Sequence, residues 1–398
     1  MANQTFVDFD LRTELLSGDY LVGYKEDGST EFKTTVADVM GDIASRFWIR
    51  TSGSGGQVAA LSMDTLTWYP VQDGFSFGDF CRDASPIFYN GEWVTVYTCA
   101  FNSNRAEFGL ARSTNLSTWT PYRVSVLGPE VTPYTPNNTW APEWFVENGN
   151  YYVFLRQSCT PGQNYGAPGQ GFMRCLNPGA WTQWTNFALT SGLSVAANDP
   201  YIIKRNNTYH LFIGSDNTGG ADARDIVMRT SNSPFSGWSS TAVNLTSAMR
   251  AALYPGNQSA FFEGPSVVQM EGDWYRAFVN DGLINFQYAI DSFDGMRTWV
   301  QAIDKPLKYI TPNYSVGPFL SASGASHGTV ITGTPEQYIA LFASTKNQNG
   351  TVYQSVCAQP IVYQGNTATV YASASNTGKT TLCVKFRTGN PIVLATEP

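Results

Sequence analysis

Regular helical periodicity is nearly absent from this chain of 398 residues, which leaves β-structure as the source of its core. No run of about 18 apolar residues occurs, so no membrane span and no membrane insertion are expected. The opening residues Met1 to Asp10 lack a basic stretch followed by an apolar one, and no signal peptide is expected from them. There is no Lys/Arg cluster and the net charge is -7, which argues against nucleic acid as a partner. The six cysteines, Cys81, Cys99, Cys159, Cys175, Cys357 and Cys383, show neither CxxC spacing nor a metal-finger rhythm. Their even number permits disulfides, but a chain this long needs none, and mostly free thiols are expected.

What the chain has is 42% apolar and 14% aromatic residues, enough for one large globular domain with appendages. An acidic, aromatic-rich surface suits a neutral or hydroxyl-rich ligand. Five short stretches repeat one pattern, each headed by a residue able to do acid-base or ligand chemistry: Asp83, Glu143, Asp199, Glu263 and His327. The heads recur at intervals of roughly 60 residues, the mark of a repeat architecture. After each head comes an apolar strand, a polar Asn/Asp/Gly turn and, in most units, a second aromatic-rich strand such as 151–155, 209–213 or 338–342. A third strand and a Ser/Asn-rich loop then lead to a tryptophan, at Trp119, Trp238 and Trp299.

Four strands per unit and five heads predict an all-β, five-bladed β-propeller, with the innermost strands lining a central channel and their first residues at one mouth. The segment ending in Trp68 has the third-strand-to-tryptophan form but precedes the first head, while the unit opened by His327 has no tryptophan after it. Residues near 57–70 are therefore expected to complete the last blade, with Arg46–Arg50 either another strand or part of a linker.

The expected organisation is an N-terminal attachment segment, 1–46, a propeller over 47–358 and a C-terminal β-hairpin extension over 359–398. The first segment reads as a hairpin followed by a Thr-capped short helix. With Asp19-Tyr20-Leu21-Val22-Gly23-Tyr24 and Lys33-Thr34-Thr35-Val36-Ala37-Asp38 it resembles the small N-terminal modules of bacteriophage tail fibre and tailspike proteins. The last 40 residues resemble phage tail protein endings.

Trp140-Ala141-Pro142-Glu143, Asn198-Asp199-Pro200, Glu263-Gly264-Pro265 and Ser326-His327-Gly328 stand in the order and blade positions of glycoside hydrolase family 43, which the chain resembles over roughly 57–358. The resemblance implies an inverting glycosidase with Asp83 as general base, Asp199 orienting and tuning the acid, and Glu263 as general acid. The first head departs from the commoner Asp-Pro form, its proline standing three residues on as Pro86. The chemistry has a physical logic: a poor leaving oxygen needs a protonated carboxylic acid, a second carboxylate must stay ionised to activate water, and a third nearby resists the acid's ionisation.

Each residue also has a structural reading. The three carboxylates could merely bond neighbouring backbone; Trp140 could be core or a sugar-stacking platform, whereas Trp144, on the strand itself, reads as core. Glu143 is expected to bind a substrate hydroxyl or close the ring, and His327 to be a substrate or axial ligand, through water to a metal, or a core histidine. No cofactor is required, though a structural calcium in the channel is compatible with the family; one imidazole alone does not satisfy calcium. Arg82, next to Asp83, is expected on the opposite face by strand alternation. The expected setting is a virion tail that hydrolyses a host surface polysaccharide beside other phage tail proteins, as a homo-oligomer, a trimer by resemblance. The alternatives are a receptor-binding propeller without turnover and a plant-polysaccharide hydrolase unrelated to phage.

Overall fold

In the computed structural model, the described residues are 20–24, 31–35, 48–52, 57–62, 65–75, 77, 81–99, 106–114, 118–131, 138–160, 163–193, 197–214, 224–257, 259–284, 286–301, 307–310, 316–318, 328–332, 359–363, 366–374, 380–386 and 392–396. His327, the 338–342 strand and the Thr-capped helix lie outside them. The chain divides into one unit over Trp48–Thr332 and a second made of Met1–Phe47 with Gly333–Pro398. In the second, Tyr20–Tyr24 pairs with Glu31–Thr35 as a hairpin, and Gln359–Tyr363, Asn366–Ala374, Thr380–Phe386 and Ile392–Thr396 form a four-stranded antiparallel meander.

The first unit is an all-β propeller with almost no helix; among the described residues the helix Ser247–Leu253 is a short exception. Four four-stranded antiparallel sheets follow one another as blades 1 to 4. Their innermost strands are Arg82–Tyr89, Asn138–Glu147, Asn198–Arg205 and Phe262–Glu271. Two-residue turns close the inner hairpins, and their left-handed residues explain the Asn/Gly choice: Asn90 and Gly91 (φ 47° and 82°) in blade 1, Asn148 and Gly149 (φ 50° and 73°) in blade 2.

Aromatic and branched residues on both faces of each blade fill the seams between blades, which is why the strands read as buried runs. Val96, Phe108, Trp144 and Leu155 lie in the seam of blades 1 and 2, Phe154 and Leu211 in that of blades 2 and 3, and Phe212, Val267 and Ala277 in that of blades 3 and 4. Trp144 is core, with 6% of its surface exposed.

The expectation of five blades is corrected: among the described residues there are four four-stranded blades, and the remaining strands of this unit form a six-stranded sheet. Its order is Val316–Pro318, Lys308–Ile310, Thr67–Phe75, Gln57–Ser62, Trp48–Ser52, Val330–Thr332. Among the described residues the unit opened by 327 shows one strand, Val330–Thr332. That strand pairs with Trp48–Ser52 from the start of the propeller, and the outer edge gains Lys308–Ile310 in parallel with Thr67 and Trp68. Of the segment at 46–50, Trp48 to Arg50 thus belong to a strand. Trp68 and Val330 pack on Val268 and Phe278 of blade 4, while Gly328 bridges to Ala84 of blade 1, so this sheet closes the ring between the last blade and the first.

A physical consequence can be measured. Removal of residues 1–46 leaves every strand of the ring in place and is expected to leave a cooperative melt, whereas removal through Pro70 takes away the partners of Val330–Thr332 and exposes an unpaired edge. Thermal unfolding followed by circular dichroism distinguishes the two; equal melts would contradict closure by the N-terminal strands.

Candidate active site

Every blade begins with the same irregularity. Register is lost between Arg82 and Ser85, Trp140 and Glu143, Asn198 and Tyr201, and Glu263 and Ser266. In each case two residues face one on the neighbouring strand, which is a β-bulge. The first residue of the bulged pair is left-handed throughout: Asp83 (φ 56°), Ala141 (φ 43°), Asp199 (φ 53°) and Gly264 (φ 60°). Aspartate tolerates that conformation because its short side chain bonds locally, and glycine has no Cβ to clash.

The bulge sets which side chains meet. Counted by position, Arg82, Trp140, Asn198 and Glu263 are equivalent, then Asp83, Ala141, Asp199 and Gly264, then, two places on, Ser85, Glu143, Tyr201 and Ser266. The five sequence heads therefore do not occupy one position: among the described four, Glu263 sits one place before the bulged residue, Asp83 and Asp199 on it and Glu143 two places after it. Alignment on the shared prolines Pro142, Pro200 and Pro265, with Ala84 in blade 1, is the sequence signal that reveals this frame.

Strand alternation fails at Arg82 for the same reason. Its Nε donates to both carboxylate oxygens of Asp83, at 3.2 and 3.1 Å, because the left-handed turn brings the two neighbouring side chains to one side. Burial by itself would lower the guanidinium pKa, but the charges of Asp83, Glu263 and Asp199 raise it overall. Carboxylates from blades 1, 3 and 4 thus act on one cation. Arg82 also lies over the ring of Trp140, 5.9 Å from its centroid, a cation–π contact from one blade to the next.

Bulge amides hold two of the carboxylates. The Gly264 N–H donates to Asp199 Oδ2 at 3.1 Å. The Ala141 N–H donates to Thr98 Oγ1 at 2.9 Å, and Thr98 in turn donates to Asp83 Oδ2 at 2.9 Å. With its lone pair engaged by the amide, the Thr98 hydroxyl is oriented toward Asp83. Asp83 and Asp199 are 3% and 4% exposed, whereas Glu263 is half-buried. Glu263 Oε1 accepts from Asn280 Nδ2 at 3.2 Å, and Asn280 Oδ1 accepts from Gln287 Nε2 at 2.6 Å; the buried glutamine fixes which end of the Asn280 amide faces the carboxylate.

Glu143 belongs to the layer beneath. Its two oxygens accept from Ser85 Oγ at 2.8 Å and Thr329 Oγ1 at 2.6 Å, so it ties blade 2 to blade 1 and to the closing sheet. Tyr201 continues this layer by donating to the Val267 carbonyl at 2.9 Å, and Ser266 accepts from the Val330 N–H at 2.8 Å. Of the two sequence expectations for Glu143, its bonds are those of ring closure. Among the described residues no three His, Cys, Asp or Glu side chains are grouped as a metal site. Cys81, Cys99 and Cys175 are buried. Arg82, Thr98 and Asn280 are the site residues sequence reasoning missed.

The family of glycosyl hydrolases 43 matches residues 82–367. No curated protein matches the chain. Among solved structures, the chain is 14% identical to an alpha-L-arabinofuranosidase from Lactobacillus brevis, covering 64% of this chain and 93% of that one with a TM-score of 0.45. For an alpha-L-arabinanase from Cellvibrio cellulosa the values are 12%, 72%, 96% and 0.46, and for a thermostable family-43 glycoside hydrolase 15%, 79%, 93% and 0.48. The family match runs from the first bulge through all four blades and takes in more than half of the sequence, and the chain belongs to the glycosyl hydrolases of family 43.

Proposed function

We propose that this protein is an inverting glycoside hydrolase of polysaccharide, in which Glu263 protonates the leaving oxygen, Asp83 activates the water and Asp199 opposes ionisation of Glu263. The observation that carries the reading is that the three carboxylates stand at the bulged ends of blades 1, 3 and 4, with Arg82 bonded to Asp83 and the amide next to Glu263, that of Gly264, bonded to Asp199. Asp83, held by Arg82 and Thr98 as an acceptor, is suited to take a proton from water as the water oxygen bonds the anomeric carbon. The glycosidic C–O bond breaks as Glu263 gives its proton to the departing oxygen. Exchange with solvent then restores both groups.

Inversion requires room for water between acid and base, roughly 6.5 to 9.5 Å between carboxyls. Blades 1 and 4 flank the six-stranded closing sheet. Trp140, half-buried and with Arg82 over its ring, is the proposed stacking platform for a sugar. NMR of the first product is expected to give the inverted anomer; a retained configuration would exclude this mechanism.

The substrate we infer is a host surface polysaccharide and the setting a phage tail, where the protein would act as an oligomer among other tail proteins. Support comes from the tail-like sequences at both ends, whose N-terminal part pairs as the hairpin Tyr20–Tyr24 with Glu31–Thr35. Incubation with capsule or lipopolysaccharide of the host is expected to release oligosaccharides. Binding without release would make the chain a receptor-binding propeller instead.

A further inference from the structure

On blade 3, facing blade 4, one buried histidine nitrogen has no partner among the described residues. His210 lies on the strand Thr208–Gly214 opposite Ile203 and Thr230. It is 8% exposed, and among the described residues nothing bonds its Nδ1. Leaving a polar atom unsatisfied in such a place costs about 1–3 kcal/mol, so most such atoms find a partner.

Beside it opens a cavity of about 360 Å³, whose polar lining includes Arg205, Thr208, Thr230 and Arg297 above Met228 and Met296. Two guanidinium groups and no carboxylate line it. Arg205 is set in place deliberately by its surroundings: its guanidinium lies so close over Gly295 that a Cβ there would come within 2.5 Å of Cζ, and Asp273, 60% exposed, pairs with it from outside. Burial, and then the Arg205 charge, push His210 down to about 4, so near neutral pH the imidazole adds no charge to the lining.

The cavity is remote from the carboxylates. The inner strand of blade 3 runs eight residues from Asn198 at the bulged end to Arg205, a span of roughly 25 Å at the usual rise. A recess lined by two guanidinium groups, one of them paired with Asp273 at its outer side, and by threonine hydroxyls fits an oxyanion attached to a hydroxyl-rich body. We propose that this cavity binds an anionic saccharide, through the carboxylate of a uronic acid or the phosphate of a sugar phosphate, and so holds an acidic glycan at the seam of blades 3 and 4.

The chain has two histidines, His210 and His327, so side-chain imidazole spectra are simple, and loss of one signal in His210→Gln assigns the other. Titration of the full chain with glucuronate and with glucose 6-phosphate is expected to shift the His210 signals saturably with at least one of them, the stronger response identifying carboxylate or phosphate as the anion. Glucose and inorganic phosphate are expected to bind at least about tenfold more weakly. In Arg297→Gln, an exposed position whose unchanged melt verifies folding, affinity for the preferred sugar should fall about tenfold, the loss of one charged hydrogen bond. The proposal is overturned if neither anionic sugar shifts His210, if glucose or inorganic phosphate binds as well, or if Arg297→Gln binds unchanged. Because the readout is binding without turnover, its result is independent of the hydrolytic reading.

Discussion

Glu263→Gln is expected to lower turnover on natural polysaccharide by at least about a hundredfold, the usual contribution of a general acid, while the variant still binds the chain. The glutamine is isosteric and can keep the contact with Asn280 Nδ2 made by Glu263 Oε1, so the fold and the sugar cleft should survive. What it lacks is a proton to give, and the defect should shrink on substrates whose leaving group departs without protonation. Steady-state kinetics on polysaccharide and on an activated aryl glycoside, with binding measured separately, check this. Turnover like that of the unsubstituted protein on polysaccharide would assign the acid to another residue.

Arg82→Met is expected to damage both stability and catalysis. The Arg82 side chain is 16% exposed and that of Asp83 2%, and removing one partner of a largely buried pair leaves an uncompensated charge. The full penalty for such a loss is about 3–5 kcal/mol; Thr98 still donates to Asp83, so about 2–3 kcal/mol is expected. For a unit of this size that is a fall of several degrees in Tm, on the order of 2–4 °C per kcal/mol. On the proposed mechanism Arg82 acts through Asp83 as a positioning residue, so kcat should fall by about tenfold or more with KM changing less. Arg82→Lys should recover part of the stability through its charge but less of kcat, because an ammonium does not reproduce the planar Nε contact. Unchanged melting and kcat in Arg82→Met would make the contact incidental.

Much of this was legible from local pattern. Turn residues such as Asn90-Gly91 and Asn148-Gly149 mark hairpins because few other residues accept left-handed backbone, and seam residues such as Trp144 and Phe212 announce themselves by their size and apolarity. The candidate carboxylates Asp83, Asp199 and Glu263 were visible as residue types at blade starts, and the resemblance gave them roles. The same reading placed Arg82 outside the site, because alternation is a rule for unbroken strands and the bulge at Asp83 breaks it. It also aligned Glu143 with the mouth, although its carboxylate is occupied one layer below by Ser85 and Thr329.

The sequence by itself determined the all-β class, the repeated hairpin unit and the carboxylates available for chemistry, since these depend on the conformational preferences and side chains of residues close together in the chain. Only the tertiary structure decided that the last sheet has six strands drawn from both sides of the ring, that Thr98 and Asn280 orient carboxylates, and that Arg82 turns to Asp83. Those outcomes rest on contacts between residues far apart in sequence, such as Gly264 with Asp199 and Val330 with Arg50. Local pattern carries no record of such contacts, because the bulges and seams that create them exist only once the blades have packed.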